Sequence, residues 1–111
     1  MTFITGPMFS GKKEYVCRAL GWTEAYFAEK AAERAEELAA RSEDLSALAD
    51  ELSQKEVVIA SEIGAGVVPV DKADRAAREK AGRLACMLAE RAESVIRVCC
   101  GIPQCLKGTL L

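Results

Sequence analysis

The stretch GPMFSGKK, residues 6–13, decides how the chain is interpreted. Gly6, Gly11 and Lys12 stand at the spacing of the phosphate-binding motif GxxxxGK[ST], whereas Lys13 takes the place of the final hydroxyl residue. Residues 2–5 (TFIT) are β-prone and followed by Gly-Pro, which predicts a buried strand entering a turn. Residues 11–20 have an apolar side and predict a helix. A strand, a glycine-rich turn and a helix in this order are the context that a phosphate loop requires.

A phosphate loop needs backbone N–H groups that point into one concavity, a helix N-terminus directed at the anion, and a lysine that reaches the terminal phosphates. We therefore predict a nucleotide-binding loop made of Gly6, Pro7, Met8, Phe9, Ser10, Gly11, Lys12 and Lys13. An ammonium group has no lone pair to give to a metal ion. The hydroxyl that usually holds Mg²⁺ is thus missing, and we assign no metal-ligating residue. The alternative is a loop that keeps the shape and no longer binds.

Composition limits the other classes of function. A chain of 111 residues suits one compact domain, and a net charge of −2 gives no reason to expect a nucleic-acid partner. No segment approaches the roughly 20 apolar residues of a membrane helix, and residues 1–7 lack the features of a signal peptide. The five cysteines, an odd number, predict reduced thiols in a cytoplasmic protein, with Cys99, Cys100 and Cys105 expected in the core. The absence of histidine excludes a Ser-His-Asp triad and a histidine metal ligand.

Residues 23–54 are rich in alanine and glutamate and predict a long helical segment, either continuous or in two pieces joined near residues 42–44. Thr23 is positioned to cap its start. Leu38, Leu45, Leu48 and Leu52 fall on one face. Two interpretations remain open: the helix covers a sheet, or its leucine stripe forms a coiled-coil contact. Together with exposed sheet edges, the stripe leads us to expect a homo-oligomer.

Residues 55–111 predict a βαβ region. The apolar run 56–61 predicts a buried strand, Asp71 is positioned to cap a helix that ends near Ala92, and residues 94–100 predict a third strand. Residues 106–110 are a candidate edge strand after a turn at 101–103. With residues 1–22, these elements predict one α/β domain: a small three-layer P-loop-type fold with a mainly parallel sheet of three or four strands and a long helical insertion.

Two parts of the chain resemble one known family. FITGPMFSGKKEYVCRAL is similar to the first strand and loop of the bifunctional adenosylcobinamide kinase/adenosylcobinamide-phosphate guanylyltransferases of cobalamin biosynthesis. The C-terminal half resembles the family patterns NEVGxGIVP, RxxR[DE]xxGR and GIPLxLKG more closely. The matching residues are Glu62, Gly64, Gly66, Val68, Pro69, Arg75, Arg78, Glu79, Gly82, Arg83, Gly101, Ile102, Pro103, Leu106 and Lys107. GPMFSGK alone also resembles the loop of type II thymidine kinases, but that likeness ends there.

The resemblance implies ATP or GTP as the nucleotide and adenosylcobinamide as the acceptor of the γ-phosphoryl group. It assigns catalysis to Lys12, which would stabilise transferred charge, and to Glu62, for which a loop carboxylate that only accepts N–H groups is the alternative. The histidine that accepts GMP in the family and an acidic Walker-B-type strand are absent, so the usual guanylyl transfer is excluded and Mg²⁺ lacks its usual ligands. The second hypothesis is therefore a catalytically reduced, non-enzymatic nucleotide-binding or oligomeric regulatory subunit.

Two further groups of residues have open roles. Arg75, Arg78 and Arg83 could contact phosphates or a second subunit, and the alternative is the solvated face of a helix paired with acids such as Glu79. Adjacent cysteines at 99 and 100 would point to opposite faces of a strand, which argues against a shared metal site.

Overall fold

A computed structural model describes residues 1–62 and 71–111 and shows an α/β domain. The strands are β1 (Thr2–Gly6), β2 (Ala31–Ala32), β3 (Val57–Ser61), β4 (Ser94–Cys99) and β5 (Ile102–Lys107). The helices are α1 (Lys12–Leu20), α2 (Glu24–Lys30), α3 (Ala35–Arg41), α4 (Leu45–Leu52) and α5 (Lys72–Arg91). The predicted loop residues Gly64, Gly66, Val68 and Pro69 lie outside the described residues.

The sheet has the order β2-β3-β1-β4-β5, in which every neighbouring pair is parallel except β4 and β5. Side chains alternate between its faces. Phe3, Val58 and Val95 pack against α3, α4 and α5, while Ile4, Ile59 and Ile96 pack with the α1 and α2 side chains. The three-layer α/β class predicted from the sequence is confirmed, although residues 1–62 and 71–111 contribute five strands to the sheet and not three or four.

The helical segment 23–54 is interrupted more often than predicted. The expected break at residues 42–44 is present, but a two-residue strand and Arg34, with a φ of 55°, also separate α2 from α3. Alanine has a low preference for strands, so residues 31–32 did not predict one. β2 is a strand because it pairs with β3. The predicted caps are confirmed: Thr23 Oγ1 accepts the Tyr26 N–H at 3.2 Å, and Asp71 Oδ1 accepts the Ala73 N–H at 2.9 Å.

The leucine stripe covers the sheet. Leu52 is buried in the core cluster, and Leu45 and Leu48 pack against it, while Leu38 stays partly exposed. Most of the stripe is therefore unavailable as a contact between copies, and the homo-oligomer stays a prediction without that support.

The last strand begins earlier than predicted. Cys100 and Gly101 have φ values of 55° and 75°, the signature of a two-residue type I′ hairpin, and Cys99 pairs with Ile102 on either side of it. β5 thus spans 102–107 and not 106–110, and its position at the sheet edge tolerates Pro103. The cysteine prediction was wrong in part: Cys86, Cys99, Cys100 and Cys105 are free thiols but exposed, and Cys17 is partly buried.

No helix in the described part of the chain has the length and apolar character that crossing a membrane requires.

Strand β1 ends at a position that only glycine fits. Gly6 has a φ of 149°, and a Cβ there would overlap the carbonyl oxygen of Val98. We expect Gly6→Ala to lower the free energy of unfolding by about 2–4 kcal/mol, measured by urea denaturation.

Gly82→Ala is the matched control, because a Cβ at Gly82 meets nothing within 4 Å and Gly82 lies inside α5. It should raise the free energy of unfolding by about 0.5–1 kcal/mol. Equal effects of the two substitutions would contradict the close approach of Gly6 to Val98.

Candidate nucleotide-binding site

The loop between β1 and α1 follows a path that glycines make possible. Gly11, with a φ of 87°, is the residue before α1, and Phe9 also has a positive φ of 59°. The N–H groups in the first turn of a helix have no intrahelical acceptor, so this end of α1 presents donors and a positive dipole end. The loop therefore has the geometry of an anion site at the carboxyl edge of the sheet.

The hairpin turn after β4 supports the loop from outside. The Gly101 N–H donates to the Ser10 carbonyl at 2.8 Å, and a Cβ on Gly11 would lie 3.5 Å from the Gly101 Cα. Sequence reasoning placed Gly101 in a terminal motif but did not connect it with residues 6–13. The connection depends on β4 pairing beside β1, which local sequence patterns do not report.

Lys12 is folded into the loop that it follows. Only 7% of the residue is exposed, and Nζ donates to the Pro7 carbonyl at 2.6 Å, to the Gly6 carbonyl at 3.4 Å and to Ser10 Oγ at 3.4 Å. Burial lowers the pKa of the Lys12 amine, since desolvation disfavours its charged form, and the nearby carboxylates of Glu36, Glu62 and Glu14 oppose that shift. The Lys12 amine is thus held inside the loop by oxygens of the loop itself.

A cavity of about 480 Å³ opens beside the loop, within the size range of ligand pockets. Residues 8–13 form one side of it, and residues of α3 and the end of β3 form the other. The structure therefore brings together most of the predicted nucleotide-binding residues around one space. Met8 and Phe9 lie at its rim with largely exposed side chains, Phe9 at 97%.

Lys13 lines the same cavity, but its amine lies 5.2 Å from the centre of the Phe27 ring. The Lys13 side chain, which stands in place of the motif's hydroxyl, is thus engaged in a cation–π contact. Within residues 1–62 and 71–111, no three side chains of the His, Cys, Asp or Glu types gather as they would around a metal ion. Mg²⁺ beside a nucleotide is usually held by one or two protein oxygens together with the phosphates. The lysine at position 13 does not fit that ion at the position where the motif supplies a hydroxyl.

Glu62 lies at the end of β3 and forms a two-point ion pair with Arg97 of β4. Arg97 donates from Nε to Oε1 at 2.6 Å and from its terminal nitrogen to Oε2 at 3.0 Å. The hydrogen bond from Arg97 lowers the pKa of Glu62, and burial opposes the shift. The Glu62 N–H also donates to the Gly6 carbonyl at 2.8 Å, which ties β3 to the start of the loop.

A second cavity of about 230 Å³ lies on the α5 side of Glu62, with Thr5, Arg78 and Gly82 in its wall. The structure places Arg78 of the predicted arginine helix here, close to the carboxylate assigned to catalysis. Arg83 instead pairs with Glu79 at 2.6 Å on the exposed surface, as the solvated-face interpretation predicts.

Glu36 of α3 is a site residue that sequence reasoning missed. It lines the larger cavity, only 9% of it is exposed, and its Oε1 accepts the Ser61 N–H at 2.9 Å. Residues 33–37 contain three glutamates, and their sequence does not show which of them turns inward. Only the packing of α3 on the sheet distinguishes it.

A comparison with protein-family models matches residues 17–106 to the family described as cobinamide kinase / cobinamide phosphate guanyltransferase. The matched segment covers most of the chain and begins after residues 6–13, so the assignment of the loop rests on its own motif and geometry. No curated protein matches the chain.

The ion pair between Glu62 and Arg97 makes a testable contribution to stability. The pKa of Glu62 is lower in the folded protein than its ordinary value of 4.5. Its ionised form therefore stabilises the fold above pH 4.5, and this stabilisation is lost as the pH falls through the folded-state pKa. We expect Glu62→Gln to lower Tm at pH 7 by at most about 4 °C, because the pair is partly exposed.

The Tm difference between Glu62→Gln and the unmodified protein should close as pH falls well below 4.5, in calorimetric scans across the range. Glu79→Gln, which breaks an exposed pair within one helix, should change Tm little at any pH. A difference that persists unchanged in acid would contradict the assignment of this stability to the Glu62 carboxylate.

Proposed function

Since the chain belongs to the cobinamide kinase / cobinamide phosphate guanyltransferase family, we propose that it binds a purine nucleoside triphosphate, ATP or GTP, through residues 6–13. The observation that supports this most is the buried amine of Lys12, held by three loop oxygens at the N-terminus of α1. A buried charge is costly unless it is paired, and a bound phosphate would supply a further partner of opposite charge. The cavity beside it accommodates the rest of a nucleotide.

In the kinase reaction that the family implies, a cobinamide hydroxyl attacks the γ-phosphorus. The new O–P bond forms as the bond between the γ-phosphorus and the bridging β-phosphate oxygen breaks. The nucleoside diphosphate leaves, and the proton of the hydroxyl is released to solvent. We propose that Lys12 neutralises charge on the phosphoryl oxygens, the largest contribution a protein makes to such a transfer. Glu62, oriented by Arg97 beside the second cavity, would accept a hydrogen bond from the acceptor hydroxyl.

The contact between Lys13 and Phe27 favours a second candidate function. Lys13 places a cation where the motif usually has the hydroxyl that holds the metal ion. The chain also has no histidine that could carry GMP. A homologue with these changes could hold a nucleotide and no longer transfer its phosphate. It would then serve as a non-enzymatic nucleotide-binding or regulatory subunit, alone or in a homo-oligomer.

Removal of the Lys12 amine tests the phosphate site. Calorimetric titration with ATP and with GTP, with and without Mg²⁺, should show binding by the unmodified protein. Lys12→Ala should bind roughly ten- to a hundredfold more weakly, the usual effect of losing a charge-assisted hydrogen bond to an anion.

Lys55→Ala is the control for this loss of charge. Lys55 lies just before the N-terminal end of β3, at the end of the strands away from residues 6–13, and donates to the Glu29 carbonyl. Its affinity for nucleotide should equal that of the unmodified protein. No binding by the unmodified protein, or equal binding by Lys12→Ala, would refute the proposed site.

Incubation of the purified protein with nucleotide and adenosylcobinamide separates the two candidate functions. The kinase predicts a phosphorylated corrinoid and a nucleoside diphosphate in equal amounts, both lost in Lys12→Ala. Nucleotide binding without product formation would support the non-enzymatic subunit, and turnover by the protein alone would exclude it.

A further inference from the structure

Glu36 is a buried carboxylic side chain in the wall of the cavity beside the phosphate loop. Its carboxylate lines the same cavity as Lys12, Ser10 and Gly11, and its Oε1 accepts the Ser61 N–H at 2.9 Å. Ser61 is the last residue of β3, one position before Glu62. A carboxylate is rarely buried without a specific partner, so the burial of Glu36 at this point indicates that its side chain has a function there.

Three carboxylates act on the Lys12 amine, and they differ in their other contacts. Glu62 is held by two hydrogen bonds from Arg97, so much of its charge is already balanced. Glu14 is exposed to solvent, which screens it. Glu36 is the most buried of the three, and its attraction raises the Lys12 pKa more than that of either other carboxylate, against the larger effect of burial.

We propose that Glu36 is a positioning residue of the loop: it anchors the end of β3 through the Ser61 N–H and balances the charge of Lys12 until a phosphate takes that role. The inference rests on the proposed nucleotide site and assigns to α3 a part in it. In this role Glu36 acts through Lys12 and Ser61 and does not itself contact the transferred phosphoryl group.

The other charges around Lys12 define what a titration would measure. Lys13 and Glu14 lie on the same helix as Lys12, and Glu33, Arg34 and Glu37 line the cavity from the α3 side. Glu62, the residue after β3, is paired with Arg97 of β4. Glu33, Arg34 and Glu37 are exposed, so solvent weakens their effect on a buried amine. Replacement of Glu36 should therefore alter the Lys12 charge more than replacement of any one of them.

A ¹³C NMR titration of the Lys12 Cε resonance in the ligand-free protein tests the balance of charge directly. The resonance is assigned by its loss in Lys12→Arg. Glu36→Gln keeps an oxygen that can accept the Ser61 N–H but removes the negative charge, so the pKa of Lys12 should fall and its titration midpoint should move to lower pH.

Glu43→Gln is the matched control: Glu43 lies just after α3, is exposed, and makes no part of the cavity wall. In Glu43→Gln the titration midpoint of Lys12 should equal that of the unmodified protein. If the midpoint in Glu36→Gln also equals that of the unmodified protein, the proposal is overturned.

Nucleotide titrations across pH give a second measurement. Near pH 7, Glu36→Gln should bind ATP roughly three- to tenfold more tightly, because one negative charge no longer repels the phosphates. Its affinity should then begin to decline at a lower pH than that of the unmodified protein, as Lys12 loses its proton earlier. Parallel pH profiles for the two proteins would contradict the role of Glu36.

Glu36→Ala tests the anchoring part, because it removes the acceptor of the Ser61 N–H as well as the charge. Its Tm should fall further than that of Glu36→Gln, and equal Tm values would overturn the anchoring role. If the Cε midpoint shifts but the unmodified protein binds no nucleotide, the link between Glu36 and Lys12 stands and the proposed function fails.

Discussion

The site depends on how closely strand β1 approaches its two neighbours at its last residue. On one side the Gly6 carbonyl accepts the Glu62 N–H at 2.8 Å, and on the other the Gly6 Cα faces the Val98 carbonyl with no room for a side chain. This fixed exit directs the chain into a loop that the Gly101 N–H holds from outside. The start of α1, and with it Lys12, is therefore set by three parallel strands and one hairpin turn.

The same closeness creates an electrostatic constraint. The Lys12 amine is removed from water and surrounded by loop oxygens, and burial alone would favour its neutral form. The carboxylates of Glu36, Glu62 and Glu14 oppose this effect of burial on the Lys12 pKa, and of these Glu62 is already paired with Arg97. If an anion binds here, as proposed, the lysine is already ordered before it arrives, which reduces the cost of ordering on binding. The proposed phosphate site and the proposed role of Glu36 both follow from this arrangement.

Local sequence predicted what local forces determine. The strand–loop–helix unit at residues 2–20, the capping of α2 and α5, and the break at 42–44 all follow from motifs and caps within a few residues. The parts that were missed depend on tertiary pairing: β2 exists because β3 accepts it, and Arg97 meets Glu62 because β4 and β3 flank β1. Glu36 was missed because three glutamates look alike until the helix packs. The exposed Cys99 and Cys100 show that a hydrophobic run can continue into a hairpin turn.

Backbone amide shifts on addition of ATP or GTP to the ¹⁵N-labelled protein test the central claim most directly. The account predicts that the largest changes fall on residues 8–13, whose N–H groups form the loop and the start of α1, and on Gly101, which donates to the Ser10 carbonyl. Amides distant from this edge of the sheet should stay where they are. Changes centred on the second cavity around Arg78 and Gly82, or none in residues 8–13 at saturating nucleotide, would contradict it.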